Sequence, residues 1–441
     1  MLNKNQGIHL YIKISNMDEI ILDEEKNQHS VTHSLHALDT YFTSIESFGK
    51  KNFPKTFYVE KITGSRLHLI IKGSAEEGID TLFKISTFAY QLSVLLNNYM
   101  PKYKTLKKLK IQLGASYGNY YEYEFVVGDY KEYTSIGYVA NYAAKIQNLS
   151  LDSHISISSE LYEKLNEEYK NYFTLVNDSS LIKYDQTCYA TSNIARLVRK
   201  FDFDKELVEA RNYDNRLNLG QIEYSDARQL IDFSSLSKSN CKKVEGIPLF
   251  ADIRGFTKQF EKDDSNLIEM SLKTQRVLST MYNDVKNYKG VHIQFQGDRE
   301  MALFHNFPNH DCVLDAVTAA MHIVDDVKNC GVTVGIGASL GIVFASKIGA
   351  RAERDNILLG TVVTQADKFE DEKAGENQIV INEEIYQCLK SKHYLWAKQF
   401  EKIGNNCYRT TVGYREMKDV ILTDYYSKNT KSNAYNGAWR Q

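Results

Sequence analysis

The chain has 441 residues, and at the usual ~100–200 residues per domain this length predicts two domains, or else three. Hydrophobic residues make up 43% and charged residues 25%, which are globular averages that exclude wholesale disorder and a collagen-like or coiled-coil rod. The formal charge of −2 offers no electrostatic footprint for duplex nucleic acid or an anionic membrane, so an anionic ligand would need a local site.

The sequence contains no pattern for membrane insertion or secretion. No apolar run approaches the ~18–20 residues of a spanning helix, and the N-terminus lacks a signal-peptide pattern. We therefore expect a soluble, cytoplasmic protein. The six cysteines include no CxxC pair, which argues against cysteine-ligated zinc and against a disulfide framework.

The chain contains two copies of one pattern of elements. Each copy predicts, in chain order, a strand, a long helix, a strand–turn–strand unit, a helix, a strand, a helix and a strand pair. This mixture predicts an α+β fold with one sheet in each repeat. The matched segments are HLYIKISNM (9–17) with PLFADIRGFT (248–257), KITGSRLHLIIKG (61–73) with FQGDREMALFHN (295–306), 136–143 with 359–366, ISISSELYEKL (155–165) with IVINEEIYQCL (379–389), and 188–189 with 407–408.

The repeats set the predicted domain boundaries. We place a first domain at 5–200 and a second at 243–423. Residues 201–242 are charged and then rich in serine, with helical spacing of apolar residues in places, which predicts a partly helical linker. Residues 424–441 are polar and predict a flexible tail.

Two carboxylates of the second repeat are candidates for metal chemistry. Asp252 follows an apolar strand and precedes the Gly255 turn, and Asp298 follows Gly297 in a predicted hairpin. Two aspartates converging at strand ends suit a hard cation with oxygen ligands, above all Mg²⁺ carried in with substrate phosphates. For either aspartate alone, a turn cap is the competing interpretation.

These motifs resemble the class III nucleotidyl cyclases. The similarity lies in LFADIRGFT, in QGD about forty residues later and in GIGASLGIVFASKIGARAERDNILLGTVVTQADKFED, and it extends over nearly all of both repeats. The resemblance implies two cyclase-like domains, each with a ferredoxin-like βαββαβ core sheet and helices, forming an intramolecular pseudo-dimer in one chain.

The resemblance implies a two-metal reaction. Asp252 and Asp298 would hold two Mg²⁺ or Mn²⁺ ions with help from the Ile253 carbonyl, and the turn containing Phe256 and Thr257 would face phosphate oxygens. The substrate would be a nucleoside triphosphate, cyclised by in-line attack of its 3′-hydroxyl on the α-phosphate with release of pyrophosphate.

The first repeat departs from the family at both metal positions, where it has Lys13 and Ser65. It keeps Asn141, which matches the ribose-orienting residue, and Lys145, which replaces an arginine that stabilises the pentavalent phosphate. Arg351 could share that role. One composite site is predicted, with metals from the second repeat and transition-state contacts from the first, so a monomer would suffice.

The sequence contains features that favour ATP and features that favour UTP. Lys61 and Thr134 match a pair that in the family recognises adenine, which favours ATP. The absence of a recognisable sensor resembles the pyrimidine cyclases of the Pycsar antiphage system, whose product acts on a separate effector protein. Tyr58 could fill space that a purine needs, and Lys61 could donate to a uracil oxygen. We favour UTP and cyclic UMP, with ATP as the alternative.

Three other classes compete with the cyclase interpretation. The first is a catalytically inactive cyclase-homology module that binds nucleotide. The second is a polymerase-like or diguanylate-cyclase-like palm, which would need a GGDEF-like turn that QGDRE matches poorly. The third is a purely structural tandem scaffold. Metal-dependent release of pyrophosphate would separate these classes from the cyclase.

Overall fold

A computed structural model describes most of the chain. The described residues are 3–127, 130–176, 187–191, 193–198, 200–216, 218–255, 267–308, 310–350 and 355–437, without the side chains of 133, 198, 267 and 426–437.

The first repeat alternates strands with helices. Its strands are β1 (Asn3–Ile14), β2 (Phe57–Thr63), β3 (Arg66–Lys72), β4 (Ile111–Val127), β5 (Tyr130–Ile136), β6 (His154–Ser158), β7 (Phe173–Val176) and β8 (Cys188–Thr191). Its helices are α1 (Met17–Gln28), α2 (Thr32–Asn52), α3 (Ala75–Tyr99), α4 (Tyr138–Leu149), α5 (Ser159–Glu163), α6 (Glu167–Lys170) and α7 (Ala195–Val198), with a 3₁₀ turn at Pro101–Tyr103.

A connecting segment then leads into the second repeat. The segment contains α8 (Asp204–Arg216), β9 (Glu223–Ser225) and 3₁₀ turns at Leu219–Gln221 and Phe233–Ser235. The strands that follow are β10 (Asn240–Ile253), β11 (Val291–Phe295), β12 (Arg299–His305), β13 (Val334–Ala338), β14 (Gly341–Ile348), β15 (Asp355–Leu359), β16 (Gln378–Asn382), β17 (Glu401–Gly404) and β18 (Cys407–Thr410). The helices are α9 (Leu267–Asn287), α10 (Cys312–Lys328), α11 (Thr361–Lys368), a π-helical turn (Phe369–Lys373), α12 (Glu383–Lys392), α13 (Tyr394–Ala397) and α14 (Tyr414–Gly437).

The two sheets have the same strand order. The first runs β2-β3-β1-β4-β6-β8-β7 and the second β11-β12-β10-β13-β16-β18-β17. In each sheet the pair joined through the helical crossover, β4 with β6 and β13 with β16, is parallel. The first strand of each repeat, β1 or β10, pairs antiparallel with both of its neighbours in this order. The prediction of two α+β domains with equivalent sheets is therefore confirmed.

A hairpin arm from each repeat packs into the core of the other. Phe125 and Val127 of the β4–β5 arm lie in the apolar cluster of the second repeat. Phe344 and Ile357 of the β14–β15 arm lie in the cluster of the first. Because both cores include residues of both repeats, burial of apolar surface holds the pseudo-dimer together.

The connecting segment is anchored on the first repeat by Asp214 of α8, whose side chain is fully buried. Its carboxylate accepts a hydrogen bond from Thr40 Oγ1 at 3.0 Å and another from the Tyr103 hydroxyl. At the other end of the chain, α14 extends through residues 424–437, where the sequence pattern predicts a flexible tail. No helix in the described part of the chain combines the length and apolar character needed to cross a bilayer.

Candidate active site

The strand register shows which residues of the two repeats are equivalent. Asp252, the penultimate residue of β10, pairs with Arg299 at the start of β12. Lys13, the penultimate residue of β1, pairs with Arg66 at the start of β3. The residues immediately before these arginines are Asp298 and Ser65, so one repeat presents two carboxylates where the other presents a lysine and a serine.

A tight turn brings Asp298 beside Asp252. Gly297 has a φ of +75°, a conformation that favours glycine, and the Gln296 N–H closes the turn on the Arg299 carbonyl at 2.8 Å. Burial raises the pKa of Asp298 well above its usual range, and the charge of Asp252 raises it further. Burial also raises the pKa of Asp252, against the opposing effect of Arg299. A divalent cation would relieve this repulsion, so the two carboxylates fit a metal site.

An ion-pair network that the sequence analysis did not predict lies beside the two aspartates. Arg299 Nη2 lies 2.6 Å from Asp367 and 2.7 Å from Glu370. Arg254 Nη1 lies 2.6 Å from Glu370 and 3.5 Å from Asp252. The available sequence signal was the acidic segment DKFED (367–371), whose spacing does not reveal its partners.

Glu370 is the centre of this network and is only 3% exposed. It lies in the π-helical turn that follows α11, a local irregularity that is frequent at functional sites. Burial raises the pKa of Glu370 to about 7, with Arg299 acting in the opposite direction. The network therefore places positive charge next to Asp252, and a metal ion would enter a site already bordered by guanidinium groups.

A polar cavity of about 340 Å³ joins the strand ends of the two repeats. Lys13 and Arg66 line it from the first repeat, and Asp252, Arg299 and Asp371 line it from the second. Burial lowers the pKa of Lys13, and the neighbouring Arg66 lowers it further. The cavity has the size of a small-molecule site, and its lining combines both signs of charge.

Helix α11 of the second repeat contacts the first repeat near the end of β1. The Thr364 hydroxyl donates to Asp18 at 3.0 Å, and the Lys368 ammonium lies 3.7 Å from the same carboxylate. Thr364 and Lys368 match Asn141 and Lys145, which lie one turn apart on one face of α4 and are half-buried.

The second-repeat counterpart of Asp18 is Thr257, which with Phe256 lies outside the described residues, as does Arg351. The contacts predicted for these three residues therefore stay predictions.

Reciprocal hydrogen bonds reveal the pseudo-twofold relation of the repeats. The Ile62 N–H donates to Asp355 Oδ2 at 2.9 Å, and the Phe295 N–H donates to Glu132 Oε2 at 3.4 Å. Ile62 and Phe295 are equivalent by register, and Glu132 and Asp355 each lie five residues before the glycine that precedes α4 or α11. This self-complementary pattern is typical of a twofold interface.

The predicted base-recognition residues lie at the β2–β5 edge beside this interface. The Lys61 ammonium contacts Glu132 and donates to the Phe295 carbonyl at 2.5 Å, and its side chain is buried. Burial lowers the pKa of Lys61 to about 8, with Glu60 acting in the opposite direction. Thr134 hydrogen bonds to Glu60. Lys61 and Thr134 therefore share an edge but engage different carboxylates, and neither glutamate was predicted.

Tyr58 lies on the same strand and is 42% exposed. The Lys72 ammonium lies 4.0 Å from the centroid of the Tyr58 ring. The ring is thus held by a cation–π contact and is partly open to solvent.

The family model described as the adenylate and guanylate cyclase catalytic domain matches this chain twice, over residues 10–191 and 241–420. The chain belongs to the class III nucleotidyl cyclase family. Cyclases of this class use divalent metal ions and nucleoside triphosphates, which agrees with the two strand-end carboxylates, of which Asp252 lines the polar cavity.

Two relatives match this class III cyclase over almost its whole length. A protein named uridylate cyclase from Pseudomonas aeruginosa is 21% identical over 470 residues, which cover 98% of this chain and 86% of the relative. The crystal structure of a class III adenylyl cyclase-like ATP-binding protein from Pseudomonas aeruginosa superposes with a TM-score of 0.71 at 17% identity, covering 95% of this chain and 91% of that one. The second match shows that the tandem fold is shared.

Proposed function

We propose that the chain cyclises a nucleoside triphosphate to a 3′,5′-cyclic nucleotide and pyrophosphate at one composite site. The observation that carries the proposal is the asymmetry at equivalent strand ends. Asp252 and Asp298 converge in the second repeat, and Lys13 and Ser65 stand at the same register in the first. A structural scaffold would not require an acidic pair in one half and an Asn–Lys helix face in the other.

Asp252 and Asp298, with the Ile253 carbonyl, would hold two Mg²⁺ or Mn²⁺ ions, which would lower the pKa of the ribose 3′-hydroxyl and neutralise triphosphate charge. In the reaction the 3′-oxygen forms a bond to the α-phosphorus and the bond from that phosphorus to the bridging oxygen breaks. Pyrophosphate leaves with the electron pair, and the hydroxyl proton passes to solvent.

The first repeat would supply the remaining contacts. Asn141 would orient the ribose through its amide, and Lys145 would stabilise the charge that develops on the α-phosphate. An ammonium does this as a point charge and not as a bidentate fork, so Arg351 would share the role. Backbone N–H groups of Phe256 and Thr257 would bind phosphate oxygens.

We propose UTP as the substrate and cyclic UMP as the product, serving as a second messenger for a separate effector protein in antiphage defence. The relative named uridylate cyclase supports UTP. Tyr58 would narrow the base pocket against a purine.

The test is a product assay on the purified full chain. The protein is incubated with Mg²⁺ or Mn²⁺ and with ATP, GTP, CTP or UTP separately, and products are identified by mass spectrometry. We expect cyclic UMP from UTP, and its loss in Asp298→Asn. The matched control is Ser65→Ala, at the equivalent register position of the first repeat, which should keep activity. Cyclic AMP as the main product would instead support ATP as the substrate.

Nucleotide binding without turnover is the second candidate, and one contact favours it. Arg254 lies 3.5 Å from Asp252 and is held there by Glu370, so a guanidinium already offsets the carboxylate charge that a metal ion would need. Saturable binding of UTP or ATP with no cyclic product under either metal would support this candidate and overturn the cyclase proposal.

A further inference from the structure

A second group of potential metal ligands lies away from the candidate active site. Asp284 of α9 and His322 and Asp326 of α10 each offer one ligand atom, and these atoms lie within 4.8 Å of one another. His322 and Asp326 are four residues apart and so share a helix face.

The group and Asp252 lie on opposite faces of the second sheet. Along β10 the side chains of Leu249, Ala251 and Ile253 pack in one core cluster with residues of α9 and α10. Successive strand residues point to opposite faces, so Asp252 faces the other side of the sheet. The two groups of carboxylates are therefore separate sites.

Asp284 is the member of the group whose hydrogen bonding is incomplete. The residue is 6% exposed, and its Oδ2 atom is buried without a hydrogen-bond partner among the described residues. A buried carboxylate oxygen without a partner is costly and calls for an explanation. Burial raises the pKa of Asp284 to about 7, and the nearby Asp326 raises it further. A bound cation would satisfy the orphaned oxygen and offset both effects.

His322 is held in an orientation that suits a ligand. Its Nε2 atom lies 2.6 Å from the Tyr288 hydroxyl, and its ring stacks on Tyr414 with centroids 3.9 Å apart. Nδ1 faces Asp326 at 3.9 Å, too long for a hydrogen bond but suitable for two groups that share an ion. Metal-binding histidines commonly fix the ring through a hydrogen bond at the other nitrogen, which Tyr288 can provide.

We propose that Asp284, His322 and Asp326 form a divalent metal site that joins α9 to α10 near the start of the C-terminal helix. One imidazole and two carboxylates favour Zn²⁺ or another transition metal over Mg²⁺, which prefers oxygen ligands alone. Tetrahedral Zn²⁺ would take these three ligands and a water molecule.

The site would stabilise the junction with α14. Tyr414, which stacks on His322, is the first residue of that helix, and the N–H of Arg415 donates to Asp325 Oδ2 of α10 at 2.8 Å. Met417 is fully buried against the same helices. An ion held by His322 would restrain the ring on which Tyr414 packs.

The experiment counts ions in full-length protein carrying Asp252→Asn and Asp298→Asn, which removes the proposed catalytic ligands. The protein is stripped with EDTA, loaded with Zn²⁺ and dialysed, and zinc is measured by mass spectrometry. We expect about one Zn²⁺ per chain, unchanged by excess Mg²⁺. Adding His322→Gln or Asp284→Asn should abolish binding, and Zn²⁺ should raise the melting temperature of the parent but not of either variant.

The matched control is His33→Gln. His33 has the same 23% side-chain exposure as His322 but pairs with a single carboxylate, Glu24, so its loss should leave the zinc content unchanged. Folding of every variant is checked by circular dichroism. Equal zinc in the folded parent and the His322→Gln variant would overturn the proposal, as would a zinc-free parent.

Discussion

Gly335 makes room for Arg254, and its replacement by alanine is a sharp test of the ion-pair network. A Cβ atom at Gly335 would lie 1.8 Å from Arg254 Nη2, 2.2 Å from Nε and 2.3 Å from Cζ, whereas ordinary contacts begin at 3.4 Å. The first repeat has Gln112 and Ser15 at the equivalent positions, so the glycine accompanies the arginine. In Gly335→Ala the guanidinium must therefore retreat by more than ~1 Å.

This displacement breaks contacts whose strength can be estimated. Arg254 Nη1 lies 2.6 Å from Glu370 Oε1, and Nη2 donates to the Ala374 carbonyl at 2.8 Å. Losing these charge-assisted bonds costs about 2–4 kcal/mol, toward the lower end because Arg254 is 18% exposed and Glu370 keeps Arg299. The entropic advantage of alanine in a strand offsets about 0.5–1 kcal/mol. We expect a net loss of about 2 kcal/mol, or roughly 2 °C in melting temperature for a chain of this length.

Thermal and urea unfolding of the full chain would measure the loss. Gly404→Ala is the control, since a Cβ atom there would have no heavy atom of the described residues within 4 Å, and it should change stability little. In an Arg254→Ala background the cost of Gly335→Ala should vanish and leave a gain of about 0.5–1 kcal/mol, because the obstructing side chain is gone and only the entropic advantage of alanine remains. A cost of the same size in both backgrounds, or no cost in the wild type, would refute the steric argument.

Three further predictions address the interface, the pH dependence and the proposed chemistry. Asp355→Ala removes the acceptor for the Ile62 N–H and should cost about 1–3 kcal/mol in urea unfolding, with partial recovery in Asp355→Asn. Burial lowers the pKa of His9 from 6.5 to about 3, so the unfolded chain binds the extra proton, and His9 contributes a loss of ~2 kcal/mol between about pH 8 and pH 5. His9→Gln should remove that contribution in unfolding measured across this range and leave the loss due to His68, whose pKa burial also lowers. Asn141→Ala should lower kcat about 10²-fold at unchanged melting temperature, whereas Thr364→Ala, at the equivalent position, should leave kcat near wild type.

Much of the fold could be predicted because it depends on local pattern. A strand, its turn and the next helix are encoded within about twenty residues, so two copies of that pattern predict two equivalent sheets. The position of Asp298 follows the same logic, since the short turn between β11 and β12 leaves little freedom of register. The pairing of Asp252 with Arg299 and of Lys13 with Arg66, by contrast, joins strands that are not neighbours in the chain. The assignment of both carboxylates to the second repeat is therefore a property of the sequence alone.

Tertiary packing determines which side chains surround the site residues. Arg254 meets Glu370 only because a π-helical turn passes over Gly337, where a Cβ atom would lie 2.4 Å from the Glu370 nitrogen. Lys61 meets Glu132 at the interface of the two repeats, and Asp284 is buried against α10, which begins 28 residues later in the chain. Burial and charge partners depend on which distant elements pack together, and no local spacing specifies them. The sequence thus shows that the second repeat carries Asp252 and Asp298, and the packing determines the charges that surround them.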